Sequence, residues 1–255
     1  MTEIQFKRDI DVDLIQSMGG DHMVVASAKV STSGQAARSF ADGTALRDDG
    51  KPWTEKDTFG LINYLMKHRH GTPFEHSSAT FFVRAPIVVW REWHRHRIGF
   101  SYNEESGRYK KLEPVYYLPP RDRPMFKVED WKPGRPKFLP IINQAGESAY
   151  TKLCRNLEES YRISYAKYEE NLGLGIDPGL ARDCLPVSIY SSCWVTCNPR
   201  SIMAFLSLRT HEPEATFVSY PLHEMEMAAR GIEAIFASHW PLTFRAFCEN
   251  GRVGP

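Results

Sequence analysis

The sequence predicts a helix-rich α+β domain, and three observations support this fold class. Apolar side chains recur at steps of three and four over long stretches, which is the spacing of a buried helical face. Few segments read as strands, so the alternation of strand and helix that marks a doubly wound sheet is missing. The 255 residues are 42% hydrophobic and 25% charged, a globular composition with enough apolar surface for one substantial core. We therefore expect one domain over residues 1–255.

The first clear helix covers residues 58–67 and is followed by a polar turn, HRHGTPFEH. Its apolar face comprises Phe59, Ile62, Leu65 and Met66. Residues 79–85 (ATFFVRA) then predict a buried or half-buried strand. Pro86 suits the first position of a helix, so we expect the next helix to begin there and to run into the basic residues 95–97.

Residues 113–145 contain seven prolines and mixed charge, which predicts a long irregular insertion or a lid. A long amphipathic helix follows and stops near Gly173 and Gly175. Its apolar positions are Tyr150, Leu153, Leu157, Tyr161, Tyr165 and Tyr168. Asp177 and Pro178 suit the N-cap and first position of a short helix that carries Arg182. Two further helices are predicted over residues 201–210 and 225–236.

The charge balance and the cysteines exclude several classes of protein. Lys and Arg number 32 against 31 Asp and Glu, which disfavours non-specific binding of nucleic acid by a polycation. The start of the chain lacks the apolar core of a secretory signal, and no apolar run approaches the roughly 20 residues of a membrane span. The five cysteines include no CxxC pair, so we expect reduced thiols in a cytoplasmic protein. Cys193 and Cys197 have the spacing of two metal ligands on a helix, but no second pair lies nearby, so we expect no metal site.

The densest polar segment is RHRIGFSYNEESGRY, residues 95–109. Its three arginines suit bidentate contacts with phosphate or pyrophosphate groups. One alternative is a solvated helix end in which Glu104 and Glu105 neutralise these arginines. Another is a nucleic-acid-binding module in which Tyr102 and Tyr109 stack on bases.

Two other segments are polar. The turn at residues 70–76, with His68 before it, groups three histidines, which suggests structural or ligand-stacking roles more than a metal site. Asn198 precedes a helix that ends at Arg209, and an Asn in this position is usually only an N-cap. The sequence has no GxxxxGK[ST], GxGxxG, HExxH or GxSxG motif, which argues against P-loop NTPases, Rossmann dehydrogenases, zincins and α/β-hydrolases.

In chain order, HGTPFEH, RHR…SYNEESGRY, NPRS…LSLR and PLTFRAF resemble the flavin-dependent thymidylate synthases (the ThyX family). The resemblance covers most of the chain, and the RHR-to-SGRY segment is the family's signature. The family usually places seven residues between RHR and the serine, whereas eight stand here, with Gly99 as the extra residue. The resemblance implies α+β subunits with a mainly antiparallel sheet, assembled as a homotetramer with FAD bound where subunits meet.

The resemblance also implies an activity, the reductive methylation of dUMP to dTMP. The one-carbon donor would be 5,10-methylenetetrahydrofolate, and NADPH would be the reductant that acts through FAD. The partners would be these small molecules, with no nucleic acid polymer and no membrane. An alternative within the same fold is a flavoprotein that only oxidises NADPH, against which the dUMP-side residues argue.

Site residues carried over by motif fall into three sets. The FAD contacts are Thr72, Arg95, His96, Arg97, Glu104, Asn198, Pro199, Arg200 and Ala204, the last at a position where relatives often carry a polar side chain. The dUMP contacts are Glu92, Trp93, His94, Arg95, Glu104, Glu105, Ser106, Gly107, Arg108, Arg182 and Arg209. The catalytic candidates are Arg209, His70 and Ser106.

The three catalytic candidates have different expected roles. A fixed positive charge on Arg209 near N3 of the pyrimidine and its adjacent carbonyl would stabilise the anionic form of the ring. His70 matches the family's histidine near the flavin. Ser106 has no evident base partner, so we favour a phosphate or base contact over a nucleophilic role.

Overall fold

The computed structural model describes residues 2–128, 132 and 138–255. The chain forms two compact units, each assembled from separate segments. The first unit comprises residues 1–11, 84–95 and 103–193, and the second comprises residues 12–83, 96–102 and 194–255. The expectation of one domain over residues 1–255 stays a prediction.

Strands and helices are mixed along the chain. The strands are β1 (Gln5–Lys7), β2 (Asp11–Met18), β3 (Ser78–Pro86), β4 (Phe100–Glu104), β5 (Val115–Tyr117), β6 (Phe126–Lys127), β7 (Phe138–Leu139) and β8 (Tyr190–Cys197). The helices are α1 (Asp21–Ser33), α2 (Arg38–Ala41), α3 (Glu55–Lys67), α4 (Ile87–Trp93), α5 (Gln144–Gly173), α6 (Pro178–Ala181), α7 (Pro199–Arg209), α8 (His223–His239) and α9 (Pro241–Glu249). Short 3-10 helices lie at Gly34–Ala37, Thr72–Glu75 and Arg182–Cys184.

The main sheet has four antiparallel strands in the order β2-β3-β8-β4. A parallel pair joins β1 to β5, and an antiparallel pair joins β6 to β7. Helices account for 48% of the structure, so the predicted helix-rich α+β class with a mainly antiparallel sheet is confirmed. Strand β3 matches the prediction for residues 79–85, whereas β1, β2 and β4 to β8 were not predicted.

The helix predicted over residues 58–67 is confirmed as α3, which begins earlier, at Glu55. Thr54 forms a capping box with Asp57, and this satisfies two backbone N–H groups at the start of the helix, those of Thr54 and Asp57. The apolar face packs as expected, since Ile62, Leu65 and Met66 are buried. In the second unit α3 packs against α9.

The prediction for the helix after Pro86 is wrong at both ends. Pro86 is the last residue of β3 and the N-cap of α4. Its ψ of 146° is extended, so it lies outside the helix and is not its first residue. Helix α4 ends at Trp93, and residues 94–99 form turns, so Arg95 and Arg97 lie beyond the helix. Gly99, with φ of 69°, adopts the left-handed backbone that favours glycine.

The core of the first unit is built on the tyrosines of α5. The Tyr161 hydroxyl donates to the Tyr117 carbonyl at 3.0 Å, and the Tyr165 hydroxyl donates to the Leu112 carbonyl at 2.9 Å. These bonds satisfy buried polar groups in an apolar environment. They bring the segment that contains β5 into the core, next to the buried Leu118.

The prediction that residues 113–145 form an irregular excursion is therefore wrong for residues 115–118, which are buried and contain β5. Residues 129–131 and 133–137 lie outside the described residues, and the lid role stays a prediction. The remaining predicted helices are confirmed as α5 to α8, but α6 ends at Ala181, so Arg182 lies in the 3-10 helix that follows and not in α6 as predicted. Across the described part of the chain, no helix has the length and apolarity needed to cross a membrane.

Candidate active site

The predicted substrate residues 92–95 lie at the end of α4 in the first unit. Trp93 is fully buried and stacks on Trp90 with ring centroids 5.1 Å apart, and His94 stacks on Trp90 at 5.7 Å. The Trp90 indole N–H donates to the Ser191 carbonyl at 3.3 Å, which ties the stack to β8. Glu92 is half-buried and Arg95 is exposed, so this end of α4 is a rigid base that presents Arg95 to solvent.

The two glutamates of the signature segment are bound to β8. Ser191 donates its hydroxyl to Glu104 at 2.6 Å, and the Ser192 backbone N–H donates to Glu105 at 2.8 Å. Glu105 also pairs with Lys110 at 2.8 Å. The alternative in which these glutamates neutralise the arginines of the segment is therefore wrong.

The residues Ser106, Gly107 and Arg108 form a tight turn. The Arg108 backbone N–H donates to the Ser106 hydroxyl oxygen at 3.3 Å, and the Tyr109 N–H donates to the Ser106 carbonyl at 3.0 Å. Gly107 is buried, and a Cβ at this position would lie 3.2 Å from Cδ of Arg182. The absence of a side chain thus lets the turn pack against the stem of Arg182.

The structure therefore brings together the predicted dUMP contacts of the turn and Arg182. Arg182 follows α6, whose N-cap is Asp177, as predicted. Of the residues described, no carboxylate lies within ion-pair distance of Arg95, Arg108 or Arg182. Cations without a carboxylate partner are suited to binding an anionic ligand, and a guanidinium binds phosphate through two parallel hydrogen bonds.

In the second unit, His70 and Thr72 lie on the turn after α3, and both are exposed. The turn is fixed by the backbone of Arg69, which has φ of 59°, and by the bond from the His70 N–H to the Leu65 carbonyl at 2.9 Å. The rings of Tyr64 and His70 lie 6.1 Å apart. These residues and α1 line a cavity of about 720 Å³, a size typical of small-molecule sites.

A second cavity in this unit, of about 620 Å³, is lined by three of the predicted FAD contacts, Asn198, Arg200 and Ala204. Asn198 is the N-cap of α7 and accepts from the Ser201 N–H at 2.9 Å. The Ser201 hydroxyl donates to the Ile98 carbonyl at 2.9 Å. These bonds join the start of α7 to the segment that carries the extra glycine of the signature.

Two predicted FAD contacts at the start of α7 are engaged within the protein. Pro199 is buried. Arg200 pairs with Glu75 at 2.5 Å and donates to the Pro255 carbonyl at 2.9 Å. Arg200 therefore holds the turn at residues 72–75 against α7. Arg97, by contrast, is exposed and has no ion-pair partner in the described ranges.

His96 and Arg209 form a pair in the second unit. The Arg209 Nε–H donates to Nε2 of His96 at 3.0 Å. Burial and the neighbouring Arg209 charge lower the pKa of His96 to about 4. The imidazole is thus neutral at physiological pH, and because Nε2 accepts a hydrogen bond, the ring proton lies on Nδ1. The edge of His96 packs on Phe205 at 5.0 Å.

Sequence reasoning missed Glu75 and Ser201 as parts of the site. Both stand inside the quoted motifs, Glu75 in HGTPFEH and Ser201 in NPRS. Their position inside family motifs could have identified both as site residues. Their partners, Arg200 and the Ile98 carbonyl, lie about a hundred residues away in sequence, so only the fold identifies them.

The cysteine pair lies on strand β8, so the helix geometry assumed for Cys193 and Cys197 is wrong. Both thiols are buried, and burial raises the pKa of Cys193 to about 12. In the part of the chain that the structure describes, no group of three or more His, Cys, Asp or Glu side chains is arranged to hold a metal ion.

Comparisons with known proteins agree with one another. Residues 13–241 match the family model "Thymidylate synthase complementing protein". A flavin-dependent thymidylate synthase of Streptomyces avermitilis is 45% identical over 251 residues, which cover 98% of this chain and 95% of the relative. One from Streptomyces coelicolor is also 45% identical, covering 99% of this chain and 96% of the relative.

A solved structure extends the likeness to the fold. The UMP/dUMP methylase PolB from Streptomyces cacaoi, bound with 5-Br dUMP, is 38% identical to this chain. The match covers 99% of this chain and 100% of PolB, with a TM-score of 0.86. These matches show that the chain belongs to the flavin-dependent thymidylate synthase family.

Proposed function

We propose that this enzyme methylates dUMP to dTMP, with 5,10-methylenetetrahydrofolate as one-carbon donor, NADPH as reductant and FAD as cofactor. The observation that carries the proposal is the set of signature-motif arginines that lack a carboxylate partner among the described residues, Arg95, Arg97 and Arg108, together with Arg182. A mononucleotide and a flavin dinucleotide are both anionic and need such cations. Solved relatives hold 5-Br dUMP and 5-Br UMP, which supports a pyrimidine nucleotide as substrate.

The first unit supplies the proposed contacts with the phosphate of the nucleotide. Arg108 and Arg182 are positioned to bind the phosphate, since Gly107 brings the turn onto the stem of Arg182. The Ser106 oxygen already accepts from the Arg108 N–H, so its own proton remains available for donation to the ligand. Glu104 and Glu105 hold this turn to β8.

The second unit supplies most of the proposed contacts with FAD. His70 and Thr72 line one cavity, and Asn198 and Ala204 line the other. The linings of both cavities mix polar groups with small side chains, which suits a large and partly apolar ligand. Arg97 is exposed and directly precedes Ile98, which lines the second cavity, so its charge suits an anionic ligand. Reduced FAD would supply the hydride for the pyrimidine, which no side chain of the protein can supply. Arg200 would support this site through its bond to Glu75.

Polarisation of the pyrimidine is the proposed task of Arg209. Its guanidinium is a cation, and the neutral His96 accepts a hydrogen bond from its Nε–H without adding a second charge. A fixed positive charge stabilises the anionic form of the ring and thereby favours reaction at C5 or C6. Ser106 is not the proposed nucleophile, since its hydroxyl oxygen is bonded to a backbone N–H and not to a base.

Tritium release from dUMP labelled at C5 tests the proposal. We expect release that requires methylenetetrahydrofolate, NADPH and FAD. A parallel reaction with labelled UMP is informative because the neighbouring solved structures are UMP/dUMP methylases. NADPH oxidation by a yellow protein without release would indicate an oxidase. Salt-sensitive binding of single strands by a colourless protein would indicate the nucleic-acid module.

We also propose that the enzyme is a homotetramer with FAD at the subunit interfaces, that it works in the cytoplasm, and that both units belong to one domain. Support for the tetramer is the family membership alone. Light scattering coupled to size exclusion measures it directly, and a mass of four chains with bound FAD is the expected result.

A further inference from the structure

The backbone that follows Arg209 is held by charged side chains. Thr210 is buried, with an extended backbone at the end of α7. Its hydroxyl donates to the Leu206 carbonyl at 2.6 Å and accepts from the Arg252 guanidinium at 2.9 Å. Arg252 in turn pairs with Glu233 of α8. The residue next to Arg209 is therefore fixed from two sides.

The next residue, His211, is held at both of its backbone polar groups. Its N–H donates to Glu226 of α8 at 2.9 Å, and its carbonyl accepts from Arg230 of α8 at 2.9 Å. Arg230 binds Glu226 at 2.9 Å and also reaches Glu212 at 2.6 Å and Glu233 at 2.7 Å. One guanidinium thus joins α8 to the segment after α7.

This cluster differs from ordinary surface ion pairs, which contribute little. It contains two arginines and three glutamates. Its inner pair, Arg252 and Glu233, is only 10% and 12% exposed, and this pair anchors Arg230, whose side chain is 39% exposed. Taking charges out of water is expensive, and the geometric order that such networks impose is their best-attested use. Here the ordered element is the backbone at residues 210–212, immediately after Arg209.

We propose that three residues are positioning residues that fix the guanidinium of Arg209: Arg230, its partner Glu226, and Arg252, which pairs with the same Glu233 as Arg230. This inference rests on the proposed function in assigning Arg209 to the pyrimidine. Side chains at the end of a helix follow the backbone of the last turn, so loosening residues 210–211 moves Arg209. Misplacement of a reacting group by about 1 Å costs on the order of 100-fold in rate.

The experiment compares Arg230→Met with Arg230→Lys and with Arg245→Met as control. Arg245 makes an exposed pair with Glu249 at 2.8 Å on α9, and it has no ion pair with the cluster among the described residues. For Arg230→Met we expect kcat to fall about 10- to 100-fold, the KM for dUMP to stay within about threefold, and FAD content to be unchanged. Arg230→Lys, which keeps the charge without the forked geometry, should be intermediate. The control should match the wild type.

A second readout reports on Arg209 without any catalysis. The Arg209 charge is one of the two causes that lower the pKa of His96. When Arg209 moves away, the midpoint of His96 in a pH titration followed by NMR of ¹³C-labelled histidine should rise. If the wild type releases no tritium but this midpoint still responds to Arg230→Met, the proposed function fails and the positioning role stands.

Arg230→Met leaves three glutamates without the arginine that pairs with them, and their repulsion could unfold the protein. A second variant therefore tests the same role without changing any charge. Thr210→Val removes the bond from Arg252 without changing any charge and keeps the shape of the side chain. It should lower kcat in the same direction, by about 3- to 10-fold. If the folded variants keep kcat within about twofold of the wild type and leave the His96 midpoint in place, the positioning role is overturned.

Discussion

The neutral state of His96 can be tested by replacing it with a side chain that does not titrate but still accepts the hydrogen bond from Arg209. His96→Gln is the suitable change, because the Gln carbonyl oxygen can accept from the Arg209 Nε–H as Nε2 of His96 does. Gln has no pKa in the accessible range, so any difference in pH dependence between the variant and the wild type belongs to His96.

The expected size of that difference follows from the two pKa values. In the folded chain the pKa of His96 is about 4, below the unfolded value of 6.5. Between these values the unfolded chain binds a proton that the folded chain does not, so stability falls as the pH falls below 6.5 and the loss is complete below about pH 4. At pH 5.5 the wild type should have lost about 1.4 kcal/mol relative to its value at pH 7.5, from this group alone.

Urea unfolding at pH 7.5 and at pH 5.5, for wild type and His96→Gln, measures this loss. The wild type should lose about 1.4 kcal/mol more of its unfolding free energy than the variant does. Equal losses would refute the reasoning, as would a midpoint near 6.5 for His96 in an NMR titration of the wild type. Either result would mean that the imidazole is not kept neutral beside Arg209.

Three of the other predictions concern ligands and one concerns the backbone. Arg209→Ala should keep FAD and lose turnover, and full activity would exclude the polarising role. Ser106→Ala should raise the KM for dUMP but keep measurable turnover, whereas complete loss with normal dUMP binding would restore the nucleophile hypothesis. Arg95→Ala should release FAD during gel filtration while Arg91→Ala, on the exposed side of α4, should not; equal retention by both would contradict the assignment of Arg95. Gly99→Ala should lower the free energy of unfolding by about 1–3 kcal/mol, since both its φ of 69° and the nearby side chain disfavour a Cβ.

Gly175→Ala is the matched control for Gly99→Ala. Both glycines have a positive φ, 78° at Gly175, but a Cβ on Gly175 would meet open space, whereas one on Gly99 would overlap the Ser201 hydroxyl. The control isolates the backbone cost of about 1 kcal/mol. If the two variants lose the same unfolding free energy, the contact with Ser201 is not a constraint.

Periodic segments were predictable from the sequence because their pattern is local. Helix α3 buries Ile62, Leu65 and Met66 as their spacing predicts. Strand β8, YSSCWVTC, contains Ser, Cys and Thr where a buried strand is usually apolar. Burial of its polar side chains is compensated by hydrogen bonds to residues distant in sequence, such as that from Ser191 to Glu104. A pattern read over a few neighbouring residues contains no trace of such partners.

In the candidate site, too, local features were predictable from the sequence and contacts between distant residues were not. Motifs identified the residue types, and Asn198 and Asp177 were recognised as helix caps from their neighbours alone. The pairing of charges was not predictable. One alternative paired Glu105 with arginines of its own segment, but Glu105 binds β8 and Lys110. Arg200 binds a glutamate 125 positions away. Electrostatic partners depend on three-dimensional distance, which sequence separation does not give.

The segmented make-up of the two units has a consequence for biosynthesis. Residues 12–83 and 194–255 belong to one unit, yet a ribosome adding about 5–20 residues per second separates their synthesis by roughly 5–20 s. During that interval α3 has been made but its partner α9 has not. Until α9 is made, α3 can pack only against elements synthesised earlier, such as α1. Neither unit can be excised as a continuous fragment, so expression yield should depend on how the nascent chain is handled before synthesis reaches α9.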